Sequence, residues 1–109
     1  MRLVVVESPY AGDVDRNLRY LRAALRDCIE RGEAPFASHA IYTQPGVLDD
    51  RVPAEREMGI LAGWAWLAKA DAVAVYDDLG VSPSMERGIE AATHFGKPIE
   101  RRSLGKDWR

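Results

Sequence analysis

The chain has 109 residues, a hydrophobic fraction of 47% and a formal net charge of −2. This length predicts one domain, residues 1–109, and the hydrophobic fraction is sufficient for a buried core. Charges of both signs are mixed along the chain, which argues against binding to a nucleic-acid backbone. No stretch is apolar over the length of a membrane span, so we expect no membrane association.

A single cysteine limits thiol and metal chemistry. Cys28 has no partner for an intrachain disulfide, and a cysteine-based metal site is excluded. No cluster of His, Cys and Asp has the spacing of metal ligands. We therefore expect no metal site, and a reducing, cytoplasmic setting fits best.

The first half of the chain predicts a strand, a helix and a weaker strand. "RLVVVE" is a nearly continuous apolar run, typical of a strand covered on both faces. Apolar residues then recur at steps of three and four, with Asp13 as N-cap and Gly32 after the end, which predicts a helix over residues 14–31. A weaker, strand-like segment follows at residues 36–42.

The second half predicts two helices, each followed by a strand. A helix runs over residues 53–69, with a proline near its first turn, and "DAVAVY" is a buried strand. The next helix starts at the cap residue Ser82 or Ser84 and continues to about Phe95. Gly96 ends it, and "KPIERR" is a last short strand.

This alternation predicts an α/β fold: a Rossmann-like (flavodoxin-like) three-layer sandwich, with a parallel sheet of about four strands and helices on both faces. Such sheets bind ligands beyond the carboxyl ends of their strands. The loops expected there are "ESPYAGD", "YTQPGVLDDR" and "YDDLGVSPS", which concentrate polar residues, glycines and prolines. We therefore predict a pocket formed by these loops.

Several familiar motifs are absent. No G-x-G-x-x-G follows the first strand, no Walker-type P-loop exists, and no serine stands in a nucleophile-elbow context. Carboxylates remain, and Glu86 lies in the first turn of the third predicted helix, where free N–H groups bind anions. The plain alternative is that the helix dipole favours an acidic residue there by about 0.3–1 kcal/mol. The residues alone favour this structural interpretation.

Three segments together resemble the nucleoside 2-deoxyribosyltransferase-like superfamily, which includes small nucleotide N-glycosidases and uncharacterised phage and bacterial proteins. They are "SPYAGDVDRN" after the first strand, the strand "DAVAVY", and "SMERGIEAATHFGKP". Met85-Glu86-Arg87-Gly88 matches the helix opening of that superfamily, and Gly96-Lys97-Pro98 matches its closing motif. Residues 48–92 look most like the phage-type branch, and the resemblance covers nearly the whole chain.

The resemblance implies hydrolysis or transfer at the N-glycosidic bond of a (deoxy)nucleoside or nucleotide, without a cofactor. In active members the helix-opening glutamate attacks the anomeric carbon and forms a glycosyl ester, and this position carries over to Glu86. The first strand lacks the usual tyrosine, so Tyr10 would have to replace it. Gly80 stands where members place Asp or Ser. These departures leave open an alternative, a protein that binds or senses a nucleotide-derived ligand without turnover.

The candidate site therefore has two groups of residues. Glu86 is the predicted nucleophile, and Tyr10 would orient it or stack on the base. Arg56 matches a phosphate group bidentately, and His39 suits acid–base work, although a lone histidine is more often structural. The predicted substrate-binding residues are Ser8, His39, Arg56, Asp78, Gly80, Ser82 and Ser84.

The helix at 53–69 carries two apolar stripes, with Ile60, Leu61, Trp64, Leu67 and Ala68 in one and Met58, Ala62, Ala65 and Trp66 in the other. One face can pack on the sheet, and the other would be exposed in a monomer, which favours a homodimer through this helix. Dimers are also usual in the superfamily that the chain resembles. The alternative is that the tail and Trp108 cover the second face. A dimeric scaffold without a small ligand is a third, plainer possibility.

Overall fold

The computed structural model describes residues 1–108 and has four strands and four helices. The strands are β1 (Arg2–Glu7), β2 (Glu33–Phe36), β3 (Ala72–Tyr76) and β4 (Ile99–Arg102). The helices are α1 (Val14–Glu30), α2 (Ser38–Ile41), α3 (Pro53–Leu67) and α4 (Pro83–His94). All strand pairs are parallel in the order β2-β1-β3-β4, which confirms the predicted α/β fold.

Helices cover both faces of the sheet. Side chains alternate along a strand, so Val4 and Val6 of β1 pack with α1 on one face, while Val5 faces α3 and α4 on the other. The central strand β3 is buried over its whole length. On the α1 face the buried side chains include Tyr20, Leu21 and Cys28, and on the other face they include Leu67, Met85 and Ala92.

The predicted helix boundaries follow local capping chemistry. The Asp13 side chain accepts a hydrogen bond from the backbone N–H of Arg16 at 3.2 Å, and Gly32 takes a φ of +80° after α1. At α4 the cap is Ser82, whose hydroxyl accepts from the N–H of Met85 at 3.2 Å.

The prediction of a strand at residues 36–42 is wrong. The strand β2 ends at Phe36, and residues Ser38–Ile41 form the short helix α2, so His39 lies on a helix. β2 is an edge strand that pairs only with β1, over four residues, and it contains Pro35, which has no N–H group to donate to the ladder. The helix α2 packs closely against α3 at Gly63. A Cβ added at Gly63 would lie 3.1 Å from the Cβ of Ser38.

The C-terminal tail packs on the α1 side of the sheet. The rings of Trp108 and Tyr20 meet edge to face, with centroids 4.9 Å apart. The tail therefore leaves the second stripe of α3 uncovered, contrary to the alternative considered for that helix. Within residues 1–108, no helix is both long enough and apolar enough to cross a membrane.

Candidate functional site

A pocket opens at the carboxyl ends of β1 and β2, enclosed by α2, α3 and the start of α4. Its apolar surface includes Val5, Phe36 and Leu67, and its aromatic side chains are Tyr10, Phe36, Tyr42 and Trp64. All three predicted loops contribute to it, through residues 7–11, residues 42–50 and Ser84. The location agrees with the rule that parallel sheets bind ligands beyond their carboxyl ends.

The pocket brings together five of the predicted site residues. They are Ser8, Tyr10, His39, Arg56 and Ser84, and they come from β1, α2, α3 and α4 or the loops beside them. They are up to 76 positions apart in sequence, from Ser8 to Ser84, so only the parallel topology makes them neighbours.

Ser8 and His39 form a polar pair in the pocket wall. Ser8 is buried, and its Oγ shares a hydrogen bond with Nε2 of His39 at 2.8 Å. Burial lowers the pKa of His39 to about 4, so the imidazole is neutral at neutral pH. A neutral imidazole has one donor and one acceptor nitrogen, so it can bind a hydroxyl group or relay a proton.

The sequence reasoning missed Glu7, the last residue of β1. A Cβ added at Gly88 of α4 would lie 2.5 Å from the Cδ of Glu7, so the carboxyl group lies directly against that helix. This carboxyl group makes no hydrogen bond or ion pair with the residues that the structure describes. Burial raises the pKa of Glu7 to about 8. The alternation of side chains along β1 could have indicated this position, because Glu7 lies two residues after Val5 and therefore on the same face of the strand.

Two arginines lie at the rim of the pocket, and they differ in whether a carboxylate pairs with them. Arg87 forms a bidentate ion pair with Glu57, both N–O distances being 3.1 Å, and its guanidinium lies 5.5 Å from the centre of the Trp64 ring. Arg56 donates a hydrogen bond to Ser84 Oγ at 2.6 Å and forms no salt bridge within residues 1–108. The Arg56 guanidinium is therefore available for an anionic ligand.

The predicted nucleophile, Glu86, is exposed and does not line the pocket. Ser84 and Gly88 present the helix face that borders the pocket. At 3.6 residues per turn, Glu86 lies about 200° around the helix from Ser84, on the opposite side. The spacing of the sequence motif is present, but its glutamate points away from the site.

Asp78, Gly80 and Ser82 also lie outside the pocket. Asp78 accepts hydrogen bonds from Ser103 Oγ at 2.6 Å and from the N–H groups of Leu104 and Gly105 at 2.9 and 3.0 Å. Burial acts to raise the pKa of Asp78, but hydrogen bonds, led by that from Ser103, lower it to about 2. Gly80 forms a turn at a φ of +90°, and the Ser82 hydroxyl caps α4. Each of the three has a structural task away from the pocket.

Sequence comparison places this chain in a family. Residues 2–102 match the model described as Domain of unknown function (DUF7768). The chain belongs to the DUF7768 family. A search of curated proteins found no match to this DUF7768 domain.

Two solved structures share the fold of this DUF7768 domain. The 2-deoxyribosyltransferase from Bacillus psychrosaccharolyticus superposes with a TM-score of 0.69 at 16% identity, covering 95% of this chain and 74% of that one. The CMP N-glycosidase of Clostridium botulinum superposes with a TM-score of 0.56 at 14% identity, covering 97% and 72%. At these identities the likeness establishes the common fold.

The chemistry available to this DUF7768 domain comes from its side chains. Among residues 1–108, no group of three or more His, Cys, Asp and Glu is arranged to hold a metal ion. The pocket instead offers three carboxyl groups, a neutral imidazole, two guanidinium groups and several aromatic faces.

Proposed function

We propose that the pocket binds a nucleoside or nucleotide and hydrolyses or transfers its N-glycosidic bond through a glutamate. The observation that carries the proposal is the free carboxyl group of Glu7, which shares one pocket with the Ser8–His39 pair and the unpaired Arg56. The fold in common with a 2-deoxyribosyltransferase and a CMP N-glycosidase supports the same reaction class.

Each part of the pocket suits one part of such a substrate. The aromatic side chains, Tyr10 among them, offer flat apolar surfaces for a base. Ser8 and His39 can hydrogen-bond to sugar hydroxyls. Arg56 and Ser84 at the rim suit a 5′-phosphate, because a guanidinium and a hydroxyl both donate to phosphate oxygens.

The reaction needs a carboxylate near the anomeric carbon. Carboxylates stabilise an oxocarbenium-like transition state and can bond to the carbon, as in retaining glycosidases. The sequence motif assigns this task to Glu86. That assignment stays a prediction, and it requires the exposed Glu86 side chain to reach the substrate from the far side of α4.

The direct test is release of free base. The protein is incubated with nucleosides and with deoxynucleoside 5′-monophosphates, and the products are separated by liquid chromatography. A second free base in the mixture distinguishes transfer from hydrolysis. Arg56→Ala should raise KM for monophosphates far more than for nucleosides. Absence of base release from every substrate would refute the proposal.

A second candidate function is binding without turnover. The observation that favours it is the exposed position of Glu86, outside the pocket. A thermal-shift screen with the same compounds separates the two functions, because any ligand that binds only the folded state raises its stability. Stabilisation by a nucleotide without base release would favour binding.

We also propose that the chain forms a homodimer through α3. Met58, Leu61 and Trp66 expose 57%, 54% and 54% of their surface on this helix, although they are large and apolar. Trp66 stacks on Phe36 of the pocket wall with ring centroids 4.9 Å apart. A second subunit on this face would therefore lie next to the pocket.

A further inference from the structure

Three acidic side chains line the pocket, and they differ in their partners. Asp50 belongs to the loop between α2 and α3, and Glu55 accepts a hydrogen bond from the backbone N–H of Asp49 at 3.1 Å. Glu7 belongs to the strand β1 and makes no such bond within residues 1–108. Glu7 therefore combines a fixed backbone position with a carboxyl group free to react.

The fold also makes room for this carboxyl group. Its two oxygens would lie only 2.5 and 2.6 Å from a Cβ at position 88, closer than real Cβ contacts allow. Residue 88 is a glycine in the middle of α4, although glycine lowers helix stability by about 1 kcal/mol relative to alanine. The absence of a side chain at this position lets the carboxyl group of Glu7 occupy the pocket side of the helix.

We infer that Glu7, rather than Glu86, is the glutamate that bonds to the sugar. This inference rests on the proposed function, and it replaces a nucleophile on the far side of α4 with one inside the pocket. The residues that would hold the substrate, Ser8 and His39, adjoin Glu7 in the same pocket wall.

The covalent step balances without a cofactor. An ionised oxygen of Glu7 attacks C1′ of the sugar, the C1′–N bond breaks, and its electron pair leaves with the base nitrogen, which takes a proton from solvent. In the second step water attacks C1′ and the ester bond breaks, returning its electron pair to the Glu7 carboxylate. The surplus proton of the water goes to solvent. A second base that attacks in place of water gives transfer.

Glu7 must lose its proton before it attacks, and its surroundings oppose that loss. Burial raises the pKa of Glu7 to about 8, so the ionised fraction grows as the pH rises towards 8. Base release should therefore increase over this range if Glu7 is the nucleophile. The other ionisable groups of the pocket are Tyr10, His39, Tyr42, Asp50, Glu55, Arg56 and Arg87, and His39 is already neutral above its pKa of about 4.

The decisive experiment traps the ester and locates it. The wild-type protein is incubated with 2′-deoxy-2′-fluoroarabino nucleosides and their 5′-monophosphates, in which fluorine slows the second step by destabilising the oxocarbenium-like transition state. Trypsin cleaves after Lys and Arg, so Glu7 falls in the peptide of residues 3–16 and Glu86 in that of residues 70–87. Mass spectrometry of the digest should find the sugar on residues 3–16, at Glu7.

Matched variants provide a second measurement. Glu7→Gln should lower the rate of base release by at least about 10³-fold. Glu90→Gln, an exposed change on α4, should leave it unaltered, and thermal melts verify that both variants fold. If Glu7→Gln does not fold, the wild-type adduct still decides the assignment.

The outcomes separate the inference from the function. An adduct on residues 70–87, or base release without any adduct, would overturn the role of Glu7 and leave the proposed function standing. Full activity in Glu7→Gln would do the same. If the wild-type protein releases no base from any substrate, the proposed function fails, and the inference fails with it.

Discussion

The carboxyl group of Glu7 occupies the space that a side chain at Gly88 would need. A Cβ at position 88 would lie 2.5 Å from the Cδ of Glu7, which is much closer than van der Waals contact. The strand β1 and the helix α4 thus approach each other closely at this point. The carboxyl group of Glu7 lies between them, and Gly88 has no side chain that would collide with it. The position of Glu7 and the identity of residue 88 are therefore coupled.

Gly88→Ala should impair the site more than the fold. The new methyl group must displace the Glu7 carboxyl group, which is the end of a flexible side chain, at a cost of about 0.5–1.5 kcal/mol. The higher helix propensity of alanine returns about 1 kcal/mol. We expect the free energy of unfolding to change by less than about 1 kcal/mol, while base release falls about 10²-fold because the carboxyl group is misplaced.

Urea unfolding and the base-release assay measure the two effects of Gly88→Ala separately. Wild-type activity in a folded Gly88→Ala protein would show that the position of the Glu7 carboxyl group is irrelevant to the reaction.

Glu7 should make the folded protein less stable as the pH rises, whereas most acidic residues have the opposite effect. Burial raises the pKa of Glu7 from an ordinary 4.5 to about 8 in the folded protein. Between these values the folded state binds a proton that the unfolded state has lost, so this contribution to stability decreases as the pH rises from about 4.5 to 8. Glu7→Gln should remove the decrease. Thermal melts across this pH range measure it, and identical profiles for the two proteins would contradict the prediction.

Asp78 should contribute to stability and not to substrate binding. Its carboxylate holds the segment 103–105 through hydrogen bonds from Ser103, Leu104 and Gly105, so Asp78→Ala should cost about 1.5–3 kcal/mol. The KM for any substrate should stay unchanged in the variant that remains folded.

The acid dependence of Asp78 follows from its pKa. Hydrogen bonds lower the pKa from 3.8 to about 2 in the folded protein, so the stabilisation is complete above about 4 and is lost as the pH falls towards 2. Acid unfolding of the wild-type protein and of Asp78→Ala measures this effect, because the difference in stability between them should shrink as the pH falls towards 2. A raised KM without loss of stability would restore the substrate-binding role predicted from the sequence.

A buried ion pair ties the edge strands together. Arg102 of β4 donates to both carboxylate oxygens of Glu33 of β2, at 2.7 and 2.8 Å, and both residues are buried. Removal of Glu33 takes two carboxylate contacts from the buried Arg102 and leaves it only the partly exposed Glu100, whose carboxylate lies 2.8 Å away, so Glu33→Ala should cost about 3 kcal/mol. Chemical denaturation measures this cost.

The exposed pair Arg26–Glu30 on α1 is the matched control for this ion pair, with side chains 81% and 63% exposed. Glu30→Ala should cost no more than about 0.5 kcal/mol. Equal costs at the two sites would show that burial of the Arg102–Glu33 pair has no energetic consequence.

The proposed dimer depends on the exposed apolar side chains of α3. Leu61→Glu places a charge in the middle of this surface and should convert a dimer into a monomer, as measured by size-exclusion chromatography with light scattering. Ile29→Glu is the control, because Ile29 is 60% exposed on α1, at the opposite face of the sheet. A monomeric wild-type protein, or a dimer that survives Leu61→Glu, would refute the proposed interface.

Much of the fold follows from local patterns in the sequence. The stripe of apolar residues between Asp13 and Gly32 is sufficient to predict α1, because capping and periodicity act within one element. The helix α2 escaped prediction because four residues carry no helical period, and its place depends on packing against α3. The thiol of Cys28 is free and buried. The reducing, cytoplasmic setting inferred from the single cysteine stays a prediction.

The candidate site was predictable only in part. Residues at the ends of β1 and on α2, α3 and α4 meet in the pocket as the parallel topology requires. The directions of Asp78 and Glu86 were not predictable from their positions alone. Asp78 turns towards residues 103–105 of a tail that shows no sequence pattern, and Glu86 is on the side of α4 remote from the pocket.

The sequence by itself determined the order of the four strands and the three long helices, the N-cap of α1 and the edge of the sheet where a ligand would bind, because these depend on patterns within single chain segments. Only the tertiary structure decided that Glu7 lines the pocket and that Glu86 does not. That choice depends on the rotation of α4 about its axis and on the contact between Glu7 and Gly88, which are 81 positions apart in the sequence. No local pattern records a contact between such distant residues, since it arises only when the sheet brings β1 and α4 together.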